Sequence, residues 1–285
     1  MIARLLASAA LGALLFTQTP ATPAVSPAAV VESIFRPATG TPARPSAAVA
    51  YVVGTSEPAF AFFGTTNLSN LSNPPNSRTT YEIGSITKGL TGILLAEMAS
   101  RGEVTVHDRL ETLLPEGDAY PEAIRGITLV QLVTHSSGLP RLPGDLSVGM
   151  TDPSNPYAHY DEARLLAFLR GYKDMPGQST ITPTYSNLGF GLLGYVLARK
   201  AGMPYEALLK ARVLEPVGRR DTSIALSTDQ RAGLAAGHAG SVAVSNWDIG
   251  ALGGAGAVRS TAADMAKLLQ ALMHPPDGRI GKAIA

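Results

Sequence analysis

The sequence of 285 residues contains no cysteine, and this absence excludes several kinds of chemistry. Without thiols there is no disulfide framework, no thiolate zinc site, no iron–sulfur cluster and no cysteine nucleophile. The side chains available for catalysis are therefore those of serine, lysine, tyrosine, histidine, aspartate and glutamate. A chain of this length can bury a large core and corresponds to one large or two modest domains.

An excess of charge of one sign is also lacking, because 23 basic side chains stand against 22 acidic ones. A cluster of Lys and Arg is the usual electrostatic footprint of nucleic-acid binding or of attachment to anionic membranes, and no such run occurs. We therefore expect neither nucleic acid nor a membrane surface as a partner. Two common catalytic motifs are absent as well: Gly-x-Ser-x-Gly and His-Glu-x-x-His. The histidines occur singly, at His107, His135, His159, His238 and His274.

The first residues have the pattern of a secretory signal peptide. Arg4 supplies one positive charge, residues 5–16 are apolar, and small residues precede possible cleavage sites after Ala21 or Ala24. The apolar stretch is shorter than the roughly 20 residues that span a bilayer. We expect residues 1–24 to be a signal peptide and the protein to be periplasmic or secreted. An uncleaved membrane anchor and a buried N-terminal helix are the alternatives.

Hydrophobic periodicity predicts an α+β chain. Two short apolar runs, at residues 47–53 and 59–63, read as a hairpin of sheet strands. Helical spacing begins near Ser85 and ends at Gly102. The start of each later helix is marked by a capping residue: Thr128 with Gln131, Asp161, Ser186, and Ser260 or Thr261.

This order of elements suggests a division of the chain. Residues 25–84 would form the first part of an α/β domain, residues 85–240 a mainly helical domain, and residues 241–285 an incomplete return to the α/β domain. The glycine-rich stretch 251–258 is expected to be a buried crossing segment.

Ser85 and Lys88 are separated by one helical turn at the predicted start of a helix. At this spacing both side chains lie on one face, and the positive end of the helix dipole favours negative charge on the serine. Lys88 could act as a base if burial or a neighbouring cation lowered its pKa. Alone the pair is weak evidence, since a serine at this position is often an ordinary helix cap.

A second pair of candidates is Tyr185 and Asn187. A tyrosine beside a lysine cation can share or lose its proton, and an asparagine amide can hold a substrate carbonyl or amide. The structural alternative is that Tyr185 is a loop tyrosine and Asn187 a helix cap.

Four blocks in order, residues 81–88, 132–140, 185–189 and 260–265, resemble the class C β-lactamase and penicillin-binding-protein family of serine hydrolases. The resemblance covers about residues 47–273. It implies a β-lactamase/transpeptidase-like fold, with an antiparallel sheet flanked by helices plus an all-helical domain. It implies no metal and no organic cofactor. The implied partner is a small molecule: a β-lactam, a D-alanyl-D-alanine peptide or an ester.

The resemblance also implies roles for the candidates. Ser85 matches the nucleophile, Lys88 the lysine that shares protons with it, and Tyr185 the tyrosine that assists as base or acid. Asn187 matches the asparagine that positions the substrate amide. The backbone N–H of Ser85 would supply half of an oxyanion hole, whereas His135 lies in a block that resembles a structural turn.

One element of the family pattern is not found in the expected place. The third motif, Lys-Thr-Gly or His-x-Gly, follows the block at 260–265 in the family. Residues 238–240 have the letters His-Ala-Gly but precede that block, so we interpret His238 as a loop residue beside a turn glycine. We expect the strands that carry the third motif to be absent from this chain. A noncatalytic remnant, or a penicillin-binding module without turnover, is therefore the alternative to an active hydrolase.

Overall fold

The computed structural model describes residues 27–35, 45–116, 119–173, 182–240 and 242–285. The predicted signal peptide, residues 1–24, lies outside the described residues. The α-helices are α1 Pro27–Phe35, α2 Ile86–Ser100, α3 Glu122–Arg125, α4 Leu129–Val133, α5 Glu162–Arg170, α6 Asn187–Ala201, α7 Tyr205–Leu209, α8 Thr228–Ala232, α9 Gly253–Gly256, α10 Ala262–Met273 and α11 Arg279–Ile284. The strands are β1 Ala47–Tyr51, β2 Ala59–Phe63, β3 Thr80–Glu82, β4 Gly237–Ala239, β5 Val242–Val244 and β6 Arg259–Thr261.

The described strands form three two-stranded antiparallel sheets. The predicted hairpin is confirmed: β1 pairs with β2, with Ala47 opposite Phe63 and Tyr51 opposite Ala59. The pair of β3 and β6 was not predicted, because each is three residues long and its partner lies far away in the sequence. This pair brings the residues just before Ser85 beside those just before α10.

The predicted helix starts are confirmed by their caps. Thr128 and Gln131 form a capping box, in which each side chain meets the other residue's backbone N–H. The Asp161 side chain accepts the N–H of Arg164, and the Thr261 hydroxyl accepts that of Asp264. Each bond satisfies an N–H that would otherwise lack a partner in the first helical turn.

The core lies between α2 and α6. Leu90, Leu94 and Met98 recur at helical spacing on α2 and are fully buried. Helix α6 is buried on almost every side. In the described part of the chain, no helix has the length and apolar character needed to cross a membrane.

A close glycine contact sets the position of α9. A Cβ atom added at Gly194 of α6 would stand 2.9 Å from the Cα of Gly254, so the two backbones touch. Thr91 on α2 also donates to the Gly254 carbonyl at 2.8 Å. The predicted buried crossing segment is therefore confirmed as a short buried helix, fixed against both α2 and α6.

Candidate active site

Ser85 lies at the turn between β3 and α2. Gly84 has a φ of +49°, which an L side chain rarely adopts, and this bend places Ser85 immediately before the helix. Ser85 occupies the N-cap position, yet its side chain makes no capping hydrogen bond. The interpretation of Ser85 as an ordinary capping serine is therefore wrong, and its hydroxyl is available for other partners.

Lys88 points from the first turn of α2 toward that hydroxyl. Its Nζ donates to the Ser85 Oγ at 3.1 Å and to the Ala255 carbonyl at 2.6 Å. The side chain is 7% exposed. Burial lowers the pKa of Lys88 from its ordinary value, and Tyr185 partly opposes that shift. The amine can therefore give up its proton more readily than a surface lysine.

Tyr185 completes a cluster of three proton-carrying groups. Its Oη lies 2.5 Å from the Ser85 Oγ, and either hydroxyl can be the donor. Two cations face the ring, with the Lys88 Nζ at 4.7 Å and the Arg141 guanidinium carbon at 5.0 Å from its centroid. Burial raises the pKa of Tyr185, but the interactions with Lys88, Ser85 and Arg141 together outweigh burial and lower it. Tyr185 therefore gives up its proton more readily than a surface tyrosine.

Asn187 is the first residue of α6. The helix is capped by Ser186, whose hydroxyl accepts the Gly189 N–H at 2.8 Å, so the interpretation of Asn187 as the cap is wrong. The backbone N–H of Asn187 donates to the Arg141 carbonyl at 2.9 Å. Its side-chain Oδ1 is buried and accepts no hydrogen bond within the described residues. Such an orphaned acceptor can receive a donor from a ligand.

Two of the four candidates line one small cavity, and Lys88 and Tyr185 reach it through their contacts with Ser85. Ser85 and Asn187 line a space of about 160 Å³ that extends toward α9. The backbone N–H of Ser85 makes no hydrogen bond to any described group, and it stands at the positive end of α2. Cavities of about 500 and 610 Å³ lie elsewhere and include none of the four residues.

His135 packs against Tyr185. Its backbone φ is +59°, and its ring packs on Tyr185 with 4.6 Å between ring centroids. The Nδ1 atom accepts the backbone N–H of Ser186 at 3.1 Å. Burial and the nearby Lys88 lower the pKa of His135, which keeps the imidazole neutral and able to accept. This placement agrees with the predicted structural turn.

His238 lies apart from the cavity. The prediction of a loop position was wrong, because His238 is the middle residue of β4 and pairs with Ala243 of β5. Gly240, with a φ of +62°, is the turn glycine of that hairpin.

Several neighbours of the cluster were not predicted. The Ala255 carbonyl holds Lys88, the Arg141 guanidinium faces Tyr185, and the cavity has an aromatic wall of Tyr157 and Trp247. Arg141 directly follows the block 132–140, and this block is the sequence feature from which Arg141 could have been found. Among the described residues, no group of three His, Asp or Glu side chains could hold a metal ion.

Comparisons with known proteins identify the family of the chain. The family model described as Beta-lactamase matches residues 31–283. The D-alanyl-D-alanine-carboxypeptidase/endopeptidase AmpH of Escherichia coli strain K12 is 31% identical over 222 residues, which cover 77% of this chain and 55% of that protein. A Beta-lactamase of the same strain is 29% identical over 237 residues, covering 82% and 58%. The crystal structure of a class C beta lactamase superposes with a TM-score of 0.70 at 21% identity, covering 84% of this chain and 63% of that one.

The α+β fold, the family model and the relatives together define the class of this protein. The chain belongs to the beta-lactamase family, as the resemblance of the four blocks predicted. It spans a little over half the length of the two curated relatives.

Proposed function

We propose that this protein is an exported serine hydrolase that forms an acyl-enzyme at Ser85 with a β-lactam, a D-alanyl-D-alanine peptide or an ester. The observation that carries the proposal is that the Ser85 Oγ lies within hydrogen-bond distance of both the Tyr185 Oη, at 2.5 Å, and the Lys88 Nζ, at 3.1 Å. The similarity to a carboxypeptidase/endopeptidase and to a beta-lactamase supports the substrate classes. The signal-peptide pattern of residues 1–24 supports export.

Acylation begins with transfer of the Ser85 proton. The Tyr185 phenolate, favoured by Lys88 and Arg141, takes the proton while the Ser85 Oγ forms a bond to the substrate carbonyl carbon. The buried Lys88 keeps the Ser85 and Tyr185 side chains in place, because its Nζ is anchored by a hydrogen bond to the Ala255 carbonyl. The carbonyl oxygen then carries the negative charge.

Two groups at the cavity form hydrogen bonds with this tetrahedral species. The free N–H of Ser85, at the positive end of α2, donates to the oxyanion. The unpaired Oδ1 of Asn187 accepts an N–H from the substrate amide. When the tetrahedral species collapses, Tyr185 returns its proton to the departing nitrogen or oxygen. Water then attacks the ester carbonyl and gives one proton to Tyr185, and Tyr185 passes that proton to the Ser85 Oγ as the ester bond breaks and the acid is released.

Covalent labelling with a fluorescent penicillin tests the proposal. We expect the wild-type chain to carry fluorescence after denaturation and Ser85→Ala to carry none, whereas Ser69→Ala, an exposed loop serine, should label like the wild type. Reversible binding of the penicillin without a covalent adduct would contradict the proposal and identify a binding module without turnover.

A further inference from the structure

A second cavity, of about 610 Å³, lies behind α9 and is called the back cavity below. Gly253 and Gly254 of α9 line the back cavity. Leu252 and Ala255, from the same segment, line the smaller cavity beside Ser85 instead. The volume of the back cavity is within the range of small-molecule sites. A ligand bound there would be separated from Ser85 by α9.

Part of the lining of the back cavity is apolar. Met203 and Pro204 contribute from the turn between α6 and α7, and Ile224 and Ile249 contribute aliphatic surface. The Tyr205 ring also lines this space, while its hydroxyl is engaged in a 2.7 Å hydrogen bond with a threonine of α2. An apolar side chain of a ligand can therefore be buried against these groups.

Two charged side chains at the back cavity have no counter-ion. Glu162, in the first turn of α5, accepts the Tyr195 hydroxyl at 2.8 Å and forms no salt bridge with any described cation. The Arg199 guanidinium, in the last turn of α6, makes neither a hydrogen bond nor a salt bridge within the described part of the chain. The helix dipole favours an acid at the start of a helix and a base at its end, so both charges are stable there without a partner.

A third charged group at the back cavity, Glu206, is already satisfied. Its carboxylate forms a salt bridge with Lys210 at 2.8 Å and accepts the backbone N–H of Ile224, also at 2.8 Å. The charges left for a ligand are therefore one negative and one positive.

These two charges border the same part of the cavity. Tyr195 and Arg199 are four residues apart on α6, so their side chains lie on one face of the helix, one turn apart. Because the Tyr195 hydroxyl binds the Glu162 carboxylate, that carboxylate is brought to the same face. Burial and Glu162 raise the pKa of Tyr195, and the nearby Arg199 opposes this rise.

We propose that the back cavity binds an apolar α-amino acid as its zwitterion. Glu162 binds the ammonium group, Arg199 binds the carboxylate, and the apolar lining receives the side chain. The planar guanidinium can bind a carboxylate through two parallel hydrogen bonds. An amino acid carries both charges on groups attached to one carbon atom, which suits two opposite charges one helical turn apart. A ligand with a single charge would leave Glu162 or Arg199 unpaired. The proposal does not rest on the acylation of Ser85.

Isothermal titration of the full chain with phenylalanine and three simpler analogues tests the proposal. Both enantiomers of phenylalanine are measured, and the tighter one is used for all comparisons. Phenethylamine lacks the carboxylate, 3-phenylpropanoate lacks the ammonium group, and alanine lacks the ring. We expect phenylalanine to bind at least about threefold more tightly than either singly charged analogue, since an ion pair at an exposed site contributes a few-fold. It should bind about tenfold or more tightly than alanine, because apolar contacts discriminate to that extent.

Two variants assign the charges. Arg199→Met should bind phenylalanine and phenethylamine with equal affinity, because the carboxylate then has no partner. Glu162→Gln keeps an acceptor for the Tyr195 hydroxyl and should bind phenylalanine and 3-phenylpropanoate with equal affinity. Lys200→Met and Glu215→Gln remove exposed charges of the same signs outside the cavity and should keep the wild-type affinities.

Three results would overturn the proposal. The first is the absence of binding by either enantiomer of phenylalanine up to its solubility limit. The second is equal affinity of the wild type for phenylalanine and its singly charged analogues, or an unchanged preference in Arg199→Met or Glu162→Gln. The third is competition with benzylpenicillin, which would place phenylalanine at Ser85. We expect the affinity for phenylalanine to be the same before and after incubation with benzylpenicillin. Labelling of Ser85 is measured separately, so the proposed function can fail or hold independently of this site.

Discussion

Replacing Lys88 by methionine removes the ammonium group that joins Ser85, Tyr185 and the Ala255 carbonyl, while keeping a side chain of similar length. The wild-type acylation rate should rise with pH as Tyr185 loses its proton, and fall at high pH as Lys88 loses its own. Both changes are expected below the ordinary ranges of the two groups, because the pKa of each is lowered in the fold. Because the two groups interact, the apparent pKa values read from the rising and falling limbs of the pH–rate profile describe the coupled pair and not either residue alone.

In Lys88→Met the rising limb should move to higher pH. The Lys88 cation is one of the groups that lower the pKa of Tyr185. Once it is removed, the effect of burial is less opposed, and the pKa of Tyr185 rises. The falling limb should disappear. Because Tyr185 remains to accept the proton, the rate above the shifted limb should fall by less than the about 100- to 10,000-fold, or about 2.7–5.4 kcal/mol on the barrier, that loss of the proton-transfer group itself would cost.

The same substitution has a separate effect on stability. The Ala255 carbonyl loses its donor, which costs about 1–3 kcal/mol, but the burial of an amine is relieved. We expect the net loss in free energy of unfolding to be smaller than the unpaired carbonyl alone would cause. Each kcal/mol lost should lower Tm by about 2–4 °C.

Acylation of Ser85 measured from pH 5 to 11 by stopped flow, with thermal unfolding of the same samples, checks both expectations. A rising limb that stays in place or moves to lower pH would refute the assigned influence of Lys88 on Tyr185. Complete loss of acylation at every pH would refute Tyr185 as the proton acceptor and identify the lysine amine instead.

Three further substitutions test the supports of the site. Ser186→Ala removes the cap of α6 and should lower the free energy of unfolding by about 0.5–2 kcal/mol in a denaturant titration. Gly194→Ala forces a Cβ against the Gly254 backbone and should cost about 1–3 kcal/mol and slow acylation, whereas Gly89→Ala, in open space on α2, should be neutral or stabilising in the same assays. Tyr205→Phe removes a buried 2.7 Å hydrogen bond to a threonine hydroxyl and should cost about 1 kcal/mol, measured by denaturant unfolding with thermal unfolding as a second check.

Much of the site was predictable because its residues lie in short local motifs. The spacing of Ser85 and Lys88 requires only one helical turn, and capping residues mark where α4, α5, α6 and α10 start. Local sequence also predicted the hairpin of β1 and β2, whose strands are separated by only a short turn.

The remaining features depend on long-range contacts that single residues do not signal. The partner of Lys88 at Ala255 is a backbone carbonyl, which any residue could supply. Trp247 reaches the cavity because Glu82 and Arg259 hold its backbone, and these residues meet only through the pairing of β3 with β6. The two strands are too short for periodicity to reveal them.

The most direct test of the central claim is the mass of the intact protein after brief exposure to benzylpenicillin, followed by peptide mapping and a chase in buffer. We predict one added penicilloyl group on the peptide that contains Ser85, its loss during the chase as water hydrolyses the ester, and no adduct in Ser85→Ala. An unmodified wild-type mass, or an adduct that persists on the same peptide in Ser85→Ala, would contradict the account.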